Sequence, residues 1–169
     1  GREAIYLALK QLKSKKVALP TYTCHRVLQA CLLAGTKPFI IDCDLNLQIN
    51  FTQIPSDIDT VIVPHMFGIQ TKIPHNKPYK IIEDCSQCIG LGDLGKYSDI
   101  VIASTGPTKW LNAGTDKENG GGILAYNGDN IHTTIKDTNI VNKLNKLCSN
   151  RLHLDNFFLA NLIKTNRKV

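Results

Sequence analysis

Hydrophobic positions along the chain alternate between the spacing of helices and that of buried strands. Residues 2–13 place apolar side chains three or four positions apart, which predicts an amphipathic helix. Residues 25–34 repeat this spacing up to Gly35, which predicts a second helix that ends at the glycine. Residues 130–147 and 152–164 also show a helical pattern.

Short runs rich in Val and Ile separate the helical patterns. They are nearly continuous rather than alternating, which is typical of strands covered on both faces of a parallel sheet. We therefore predict an α/β fold with a mostly parallel sheet and flanking helices. Residues 85–99 are short for a crossover between parallel strands, so the sequence leaves the strand order open. The predicted strands are 17–19, 38–41, 60–63, 80–82, 100–103 and, as an edge or returning strand, 122–126.

Composition and charge exclude several classes of protein. The chain has 169 residues, of which 43% are hydrophobic and 20% charged, so it is rich enough in apolar residues to fold. No apolar run approaches the roughly 20 residues that span a bilayer. The net charge is +6, of which residues 130–169 carry +5. Aromatic residues do not interleave with these basic ones, so we expect a solvated helix face rather than a nucleic-acid or membrane surface.

The six cysteines are expected to be free thiols in a reducing cytoplasm. Cys85 and Cys88 form a C-x-x-C motif without a second ligand pair, so no metal site is predicted. Glu83 and Asp84 precede the motif, and their negative charge disfavours the thiolate that redox chemistry needs.

Both ends of the sequence are expected to be incomplete. The first helix begins at residue 2 without a capping residue, and the chain stops in a basic helical pattern. We expect a core domain at 1–128 and a basic helical segment at 129–169 that leads towards a small domain.

Polar side chains collect where the predicted strands end, the place at which open α/β sheets bind ligands. Ser104 follows one strand, Asp84 another, and Lys109 comes five residues after Ser104. A lysine beside an apolar core can attack an aldehyde, and a carboxylate can pair with a cationic ring nitrogen. Pyridoxal phosphate needs both groups. A surface lysine and a strand-end cap remain the alternative for this pair.

At these residues the sequence resembles the DegT/StrS-type family of pyridoxal-phosphate-dependent sugar-nucleotide aminotransferases, which have PLP fold type I. The order and spacing of several short segments carry the resemblance over most of residues 1–126. These segments are GREA at 1–4, LPTYTC at 19–24, AGTKP at 34–38, DCD at 42–44, PHMFG at 64–68, EDCSQCIG at 83–90, Ser104 with Lys109, and GGG at 120–122.

The resemblance implies a role for each matching position. Lys109 would bind the cofactor aldehyde and move protons, and Asp84 would pair with the pyridinium nitrogen. Gln87 would contact the phenolic oxygen or the ring. Ser104 would bind the phosphate together with the amides of Gly1 and Arg2, a residue in the Tyr22–Cys24 turn would cover one ring face, and His65 would lie at the edge of the site.

The sequence also departs from the family pattern. Arg2 replaces a threonine, so its guanidinium would take over a contact to the phosphate. Cys24 lies where the family often has an aromatic ring, and residues 114–122 stretch a glycine-rich turn. These changes leave the substrate open.

The implied function is transfer of an amino group, from L-glutamate, to a nucleotide-linked keto-sugar, by a cytoplasmic homodimer that uses pyridoxal 5′-phosphate. Two alternatives remain: another pyridoxal-phosphate reaction on the same scaffold, or a non-catalytic or regulatory relative or an inactive fragment.

Overall fold

A computed structural model describes residues 1–88, 92–104, 108–109 and 122–126. The predicted helices at 130–147 and 152–164, and thus the basic segment 129–169, lie outside the described residues. The described part forms a six-stranded sheet with two α-helices. The helices are α1 (Arg2–Leu12) and α2 (His25–Leu33), and the strands are β1 (Lys16–Pro20), β2 (Lys37–Ile41), β3 (Thr60–Pro64), β4 (Lys80–Asp84), β5 (Ile100–Ser104) and β6 (Gly122–Tyr126).

The sheet is mostly parallel, as predicted. Its order is β2-β1-β3-β4-β5-β6, and only β6 runs antiparallel to its neighbour. The structure thus settles the strand order that the sequence left open. Residues 85–88 and 92–99 contain no helix, so the described part of the connection from β4 to parallel β5 is irregular.

Two hydrophobic cores cover the two faces of the sheet. One core joins α1 and α2 to the sheet, and alanines at 4 and 8 let α1 approach the strands closely. The other lies on the opposite face and includes Val61, Val63 and Ile81. Because successive strand residues point to opposite faces, the central strands β1, β3 and β4 contribute to both cores.

The ends of both helices follow from local chemistry. Gly35 has a φ of +76°, and its amide bonds to the carbonyl of Leu32 just beyond the last turn of α2, as predicted. Lys13 adopts the same left-handed backbone after α1, with a φ of 55°. Neither described helix is long and apolar enough to cross a membrane.

Candidate active site

Strand register brings Asp84 and Ser104 to the same edge of the sheet. Asp84 pairs with Pro64 on β3 and with Ile102 on β5, and Ser104 ends β5 two residues later. Ile82 and Ile102 belong to the core beneath α1, so alternation places Asp84 and Ser104 on that same face. The structure therefore brings together two of the residues that the sequence selected.

The N-terminus of α1 lies against this edge. A Cβ built on Gly1 would stand 3.0 Å from Ser104 Cβ, and one built on Gly122 would stand 2.8 Å from the Gly1 nitrogen. The two glycines thus allow α1, β5 and β6 to meet closely. The first amides of an α-helix have no acceptor within the helix and attract anions. Beside the Ser104 hydroxyl they form a cradle of the kind that a phosphate group needs.

Lys109 lies near the same helix end. Its ammonium and the Asp84 carboxylate both act electrostatically on the amino group of Gly1. Lys109 is half-buried, so it is shielded in part from solvent. The predicted amine and the predicted acid are therefore both neighbours of the α1 terminus.

The turn that follows β4 orients the Asp84 carboxylate. Its Oδ1 atom accepts a hydrogen bond from the Ser86 amide at 3.0 Å, and its backbone carbonyl accepts one from the His65 amide at 3.0 Å. One carboxylate oxygen is thus used for orientation, and the second is the oxygen suited to a cationic partner.

Gln87 connects two loops at the edge of the site. Its Oε1 atom accepts a hydrogen bond from the Phe67 amide at 3.0 Å. Because Oε1 is used, the side-chain NH2 is the end that can donate to an acceptor such as a phenolic oxygen. Phe67 has a left-handed backbone, with a φ of 55°, so the contact holds a strained turn in place.

Tyr22 and Cys24 lie at the exposed side of this region. The rings of Tyr22 and Phe67 are 6.0 Å apart between centroids and tilted by 44°. Cys24 is exposed and precedes the first residue of α2. The sequence pattern pointed to Tyr22 but not to Phe67, whose only hint was its place before a glycine in the PHMFG segment.

The side chain of Arg2 is turned towards α2. Nη1 donates to Gln29 Oε1 at 2.8 Å, Nε lies 3.7 Å from a Glu3 oxygen, and the buried Nη2 has no hydrogen-bond partner among the described residues. The guanidinium therefore links the two helices, whereas the Arg2 amide belongs to the first turn of α1.

The sequence places His65 at the edge of the site, and in the structure its side chain lies on the face of the sheet opposite Asp84. Its side chain is fully buried, and Nδ1 accepts a hydrogen bond from the Thr71 amide at 3.0 Å. Nδ1 therefore carries no proton, and Nε2 carries the proton of the neutral ring. Nε2 lies 3.5 Å from Glu83 Oε1. Alternation along β3 turns His65 to the face opposite Asp84.

Glu83 is a buried acid that sequence reasoning did not separate from Asp84. Its Oε2 accepts hydrogen bonds from the Gly95 amide at 2.6 Å and the Ser98 hydroxyl at 3.0 Å. Burial alone would raise the pKa of Glu83, but the adjacent His65 ring and the hydrogen bonds from Gly95 and Ser98 outweigh it and lower the pKa. The two-residue period of strands was the signal that could have assigned Glu83 to the other face.

A separate cavity of about 590 Å³ lies between the 92–96 loop and the outer strands β5 and β6. None of the predicted site residues lines this cavity. It is therefore distinct from the edge that carries Asp84 and Ser104.

Comparison with known proteins identifies sugar aminotransferases as relatives. No family model matches the chain. It is 28% identical over 137 residues to the UDP-N-acetyl-3-dehydro-alpha-D-glucosamine 3-aminotransferase of Acidithiobacillus ferrooxidans, covering 69% of this chain and 36% of the relative. It is 32% identical over 126 residues to the 3-oxo-glucose-6-phosphate:glutamate aminotransferase of Bacillus subtilis, covering 64% and 28%. The chain thus spans about a third of the length of these relatives.

Solved structures share the fold. NtdA from Bacillus subtilis with bound cofactor PMP matches with a TM-score of 0.54 and 26% identity, covering 64% of this chain and 28% of NtdA. A DegT DnrJ EryC1 StrS aminotransferase from Brucella abortus matches with a TM-score of 0.62 and 20% identity, covering 85% and 42%. The predicted fold class and the resemblance to these aminotransferases are confirmed over this part of the chain.

Proposed function

We propose that this chain is part of a pyridoxal-phosphate-dependent aminotransferase that transfers an amino group to a keto-sugar. The observation that carries the proposal is the convergence of Asp84, Ser104 and Lys109 on the N-terminus of α1. Asp84 matches the cationic ring nitrogen at one end of the cofactor, and Ser104 matches the phosphate at the other. The third is an amine of the kind that binds an aldehyde.

The residues present fit this cofactor. The first-turn amides of α1 and the Ser104 hydroxyl would hold the phosphate, while Asp84 would keep the ring nitrogen protonated. When bound, pyridoxal phosphate acts as an electron sink for a carbanion. Lys109 would supply the amine that takes and returns a proton, and Gln87 would orient the ring through its side-chain NH2 group.

The relatives guide the choice of substrates. Both of their names give a sugar oxidised at position 3, one of them linked to UDP, and one name includes glutamate. We assign L-glutamate as the amino donor and a nucleotide-linked keto-sugar as the acceptor. Residues 1–128 would form the cofactor-binding core of a cytoplasmic homodimer, and residues 129–169 would lead towards a further domain.

Borohydride reduction tests the assignment of Lys109. Protein mixed with pyridoxal phosphate and then reduced should carry the cofactor covalently on Lys109, as read by mass spectrometry of tryptic peptides. Lys109→Ala should lose this label and the glutamate-dependent change in cofactor absorbance. Lys72→Ala serves as the matched control because Lys72 is exposed in another loop. A Lys109→Ala protein that retains both properties contradicts the proposal.

A further inference from the structure

Two cysteines meet behind the candidate site, at the start of the 85–99 connection. Cys85 and Cys88 are free thiols, each about 2% exposed. The Cys88 amide donates to the Cys85 carbonyl at 3.1 Å, which closes a four-residue turn. Such a turn keeps the end Cα atoms within about 7 Å, and a disulfide needs a Cα separation of roughly 4.4–6.8 Å. The backbone of the turn is therefore compatible with a disulfide.

The side chains of this turn are also close. The two sulfur atoms and one ring nitrogen of His65 all lie within 4.8 Å of one another. Both nitrogens of His65 face protein groups, because Nδ1 accepts from Thr71 and Nε2 lies 3.5 Å from Glu83. The two thiols are thus the reactive pair of the cluster, and the imidazole is held by its own partners.

We propose that Cys85 and Cys88 form a thiol–disulfide pair that reacts with small-molecule disulfides. The proposal goes beyond the aminotransferase function and does not depend on the cofactor. The sequence argued against redox chemistry because two acids precede the motif. The structure keeps this argument for Cys85 but reverses it for Cys88: both acids raise the pKa of each thiol, yet the adjacent Cys85 thiol lowers the pKa of Cys88 overall.

The two thiols have different roles in the reaction, one as the attacking and the other as the resolving thiol. The hydrogen bond between them lowers the pKa of Cys88, whereas that bond, together with burial, raises the pKa of Cys85. Cys88 therefore attacks first. Its thiolate bonds to one sulfur of a disulfide RSSR, the S–S bond breaks, and RS⁻ leaves and takes a proton. Cys85 then loses its proton and attacks the Cys88 sulfur, which expels a second RS⁻. Two electrons pass from the cysteines to RSSR, which becomes two RSH.

Oxidation would move residues that belong to the candidate site. A disulfide brings the sulfur atoms to about 2.05 Å, and the ring that it closes contains Ser86 and Gln87. The Ser86 amide orients Asp84, and Gln87 accepts the hydrogen bond of the Phe67 amide. Closing the turn should therefore loosen the contact between Gln87 and Phe67.

Mass spectrometry of the full chain treated with glutathione disulfide tests the pair. Trypsin releases residues 81–96 as one peptide that contains both cysteines and no other. After acid quench and alkylation, this peptide should lack alkyl groups and be lighter by about 2 Da than the reduced, unalkylated form. Because the thiols are buried, we expect the reaction to take minutes to hours.

Three single variants define the order of attack. Cys85→Ser should leave one glutathione on Cys88, because the resolving thiol is gone. Cys88→Ser should leave Cys85 reduced and fully alkylated. Cys31→Ser should form the disulfide as wild type does, because Cys31 is buried in α2. A wild-type peptide 81–96 that stays fully alkylated, or that carries glutathione without an internal disulfide, overturns the proposal.

Amide hydrogen exchange tests the movement of the turn without any cofactor. The Phe67 amide should exchange faster in the oxidised chain than in the reduced chain, by about two- to tenfold, the range for one lost hydrogen bond. Equal exchange rates in a chain shown to contain the disulfide overturn the coupling between this pair and the Phe67 turn.

Discussion

The two oxygens of the Asp84 carboxylate have different roles in the proposed site. Oδ1 is fixed by the Ser86 amide, so the remaining oxygen has a defined direction. A fixed charge stabilises a developing charge better than a mobile one, because it needs no reorganisation during the reaction. The backbone of the turn therefore prepares the acid for its proposed partner, the pyridinium nitrogen.

Asp84→Asn tests this role. The amide oxygen can still accept the Ser86 hydrogen bond, but the side chain has no negative charge to keep a ring nitrogen protonated. We expect the cofactor to bind and the glutamate-dependent absorbance change to slow by about 10²–10³-fold. Stopped-flow absorbance measures the rate. Ser86→Ala is the control, because only its backbone contacts Asp84, and it should react near the wild-type rate. If Asp84→Asn reacts with glutamate as fast as wild type does, Asp84 does not have the proposed role.

Glu83, the acid next to Asp84, has a structural role. Its side chain is 2% exposed, and its two oxygens face His65, Gly95 and Ser98. These contacts tie the end of β3 and the 92–98 loop to β4. The partners of Glu83 offset the cost of burying its charge. We therefore expect removal of the charge to leave these partners poorly satisfied and to lower the free energy of unfolding.

The lowered pKa of Glu83 predicts a pH dependence of stability. A carboxyl whose folded pKa lies below its unfolded value stabilises the fold above the unfolded pKa, about 4.3. That contribution is lost as the pH falls towards the folded pKa. The difference in unfolding free energy between wild type and Glu83→Gln should therefore be largest above about pH 5 and shrink in more acidic solution.

Urea unfolding between neutral and acidic pH measures this difference. Asp93→Asn is the matched control because Asp93 is exposed, and its effect should stay small throughout. A Glu83→Gln difference that is constant across the range, or that grows in acid, contradicts the assignment.

At the level of elements, the candidate site depends on how closely α1 approaches β5 and β6. Gly1 and Gly122 have no side chain at the point where these elements meet. The small side chains of Ala4 and Ala8 continue this close packing along α1. The distance between the first-turn amides and the Ser104 hydroxyl is therefore set by packing, and a single methyl group can change it.

Gly122→Ala tests this packing. The new methyl group would lie 2.8 Å from the Gly1 nitrogen and 3.1 Å from Ala4 Cβ, so α1 must shift. We expect a loss of about 1–3 kcal/mol in unfolding free energy and weaker binding of pyridoxal phosphate. Urea unfolding and a cofactor titration measure the two effects. Ala125→Ser, an exposed change on the same strand, should alter neither. If Gly122→Ala binds pyridoxal phosphate as tightly as wild type does, the cradle at the N-terminus of α1 does not hold the cofactor.

At the scale of the whole molecule, an exposed apolar surface adjoins the candidate site. Tyr22 is 43% exposed, Phe67 is 61% exposed and Ile69 is 49% exposed. Contiguous apolar surface on a folded chain is typical of an interaction site. This surface supports the proposed homodimer, in which a second copy would cover the open side of the site.

Light scattering tests the proposed homodimer. The expected mass is twice the 18.7 kDa of one chain. Ile69→Glu should shift the population towards the monomer, because burial of an unpaired carboxylate is unfavourable. Leu45→Glu is the control, since Leu45 is fully exposed in another loop. A mass of one chain at every concentration tested contradicts the proposal.

The sequence by itself determined the helices α1 and α2, the strands, the parallel character of the sheet and the resemblance to sugar aminotransferases. These features depend on short-range patterns, such as the spacing of apolar residues and the glycine after α2, and on short motifs in a fixed order. Asp84 and Ser104 were selected as candidates from a similarly local feature, since each comes at the end of a strand.

Only the tertiary structure decided which polar groups share a face and which backbones touch. It separated Glu83 from Asp84, buried His65 against Thr71, turned the Arg2 guanidinium towards Gln29 and brought Gly1 to Ser104. It also gave the order β2-β1-β3-β4-β5-β6. These are contacts between residues far apart in the chain, and they depend on strand register and close packing, which no local pattern encodes.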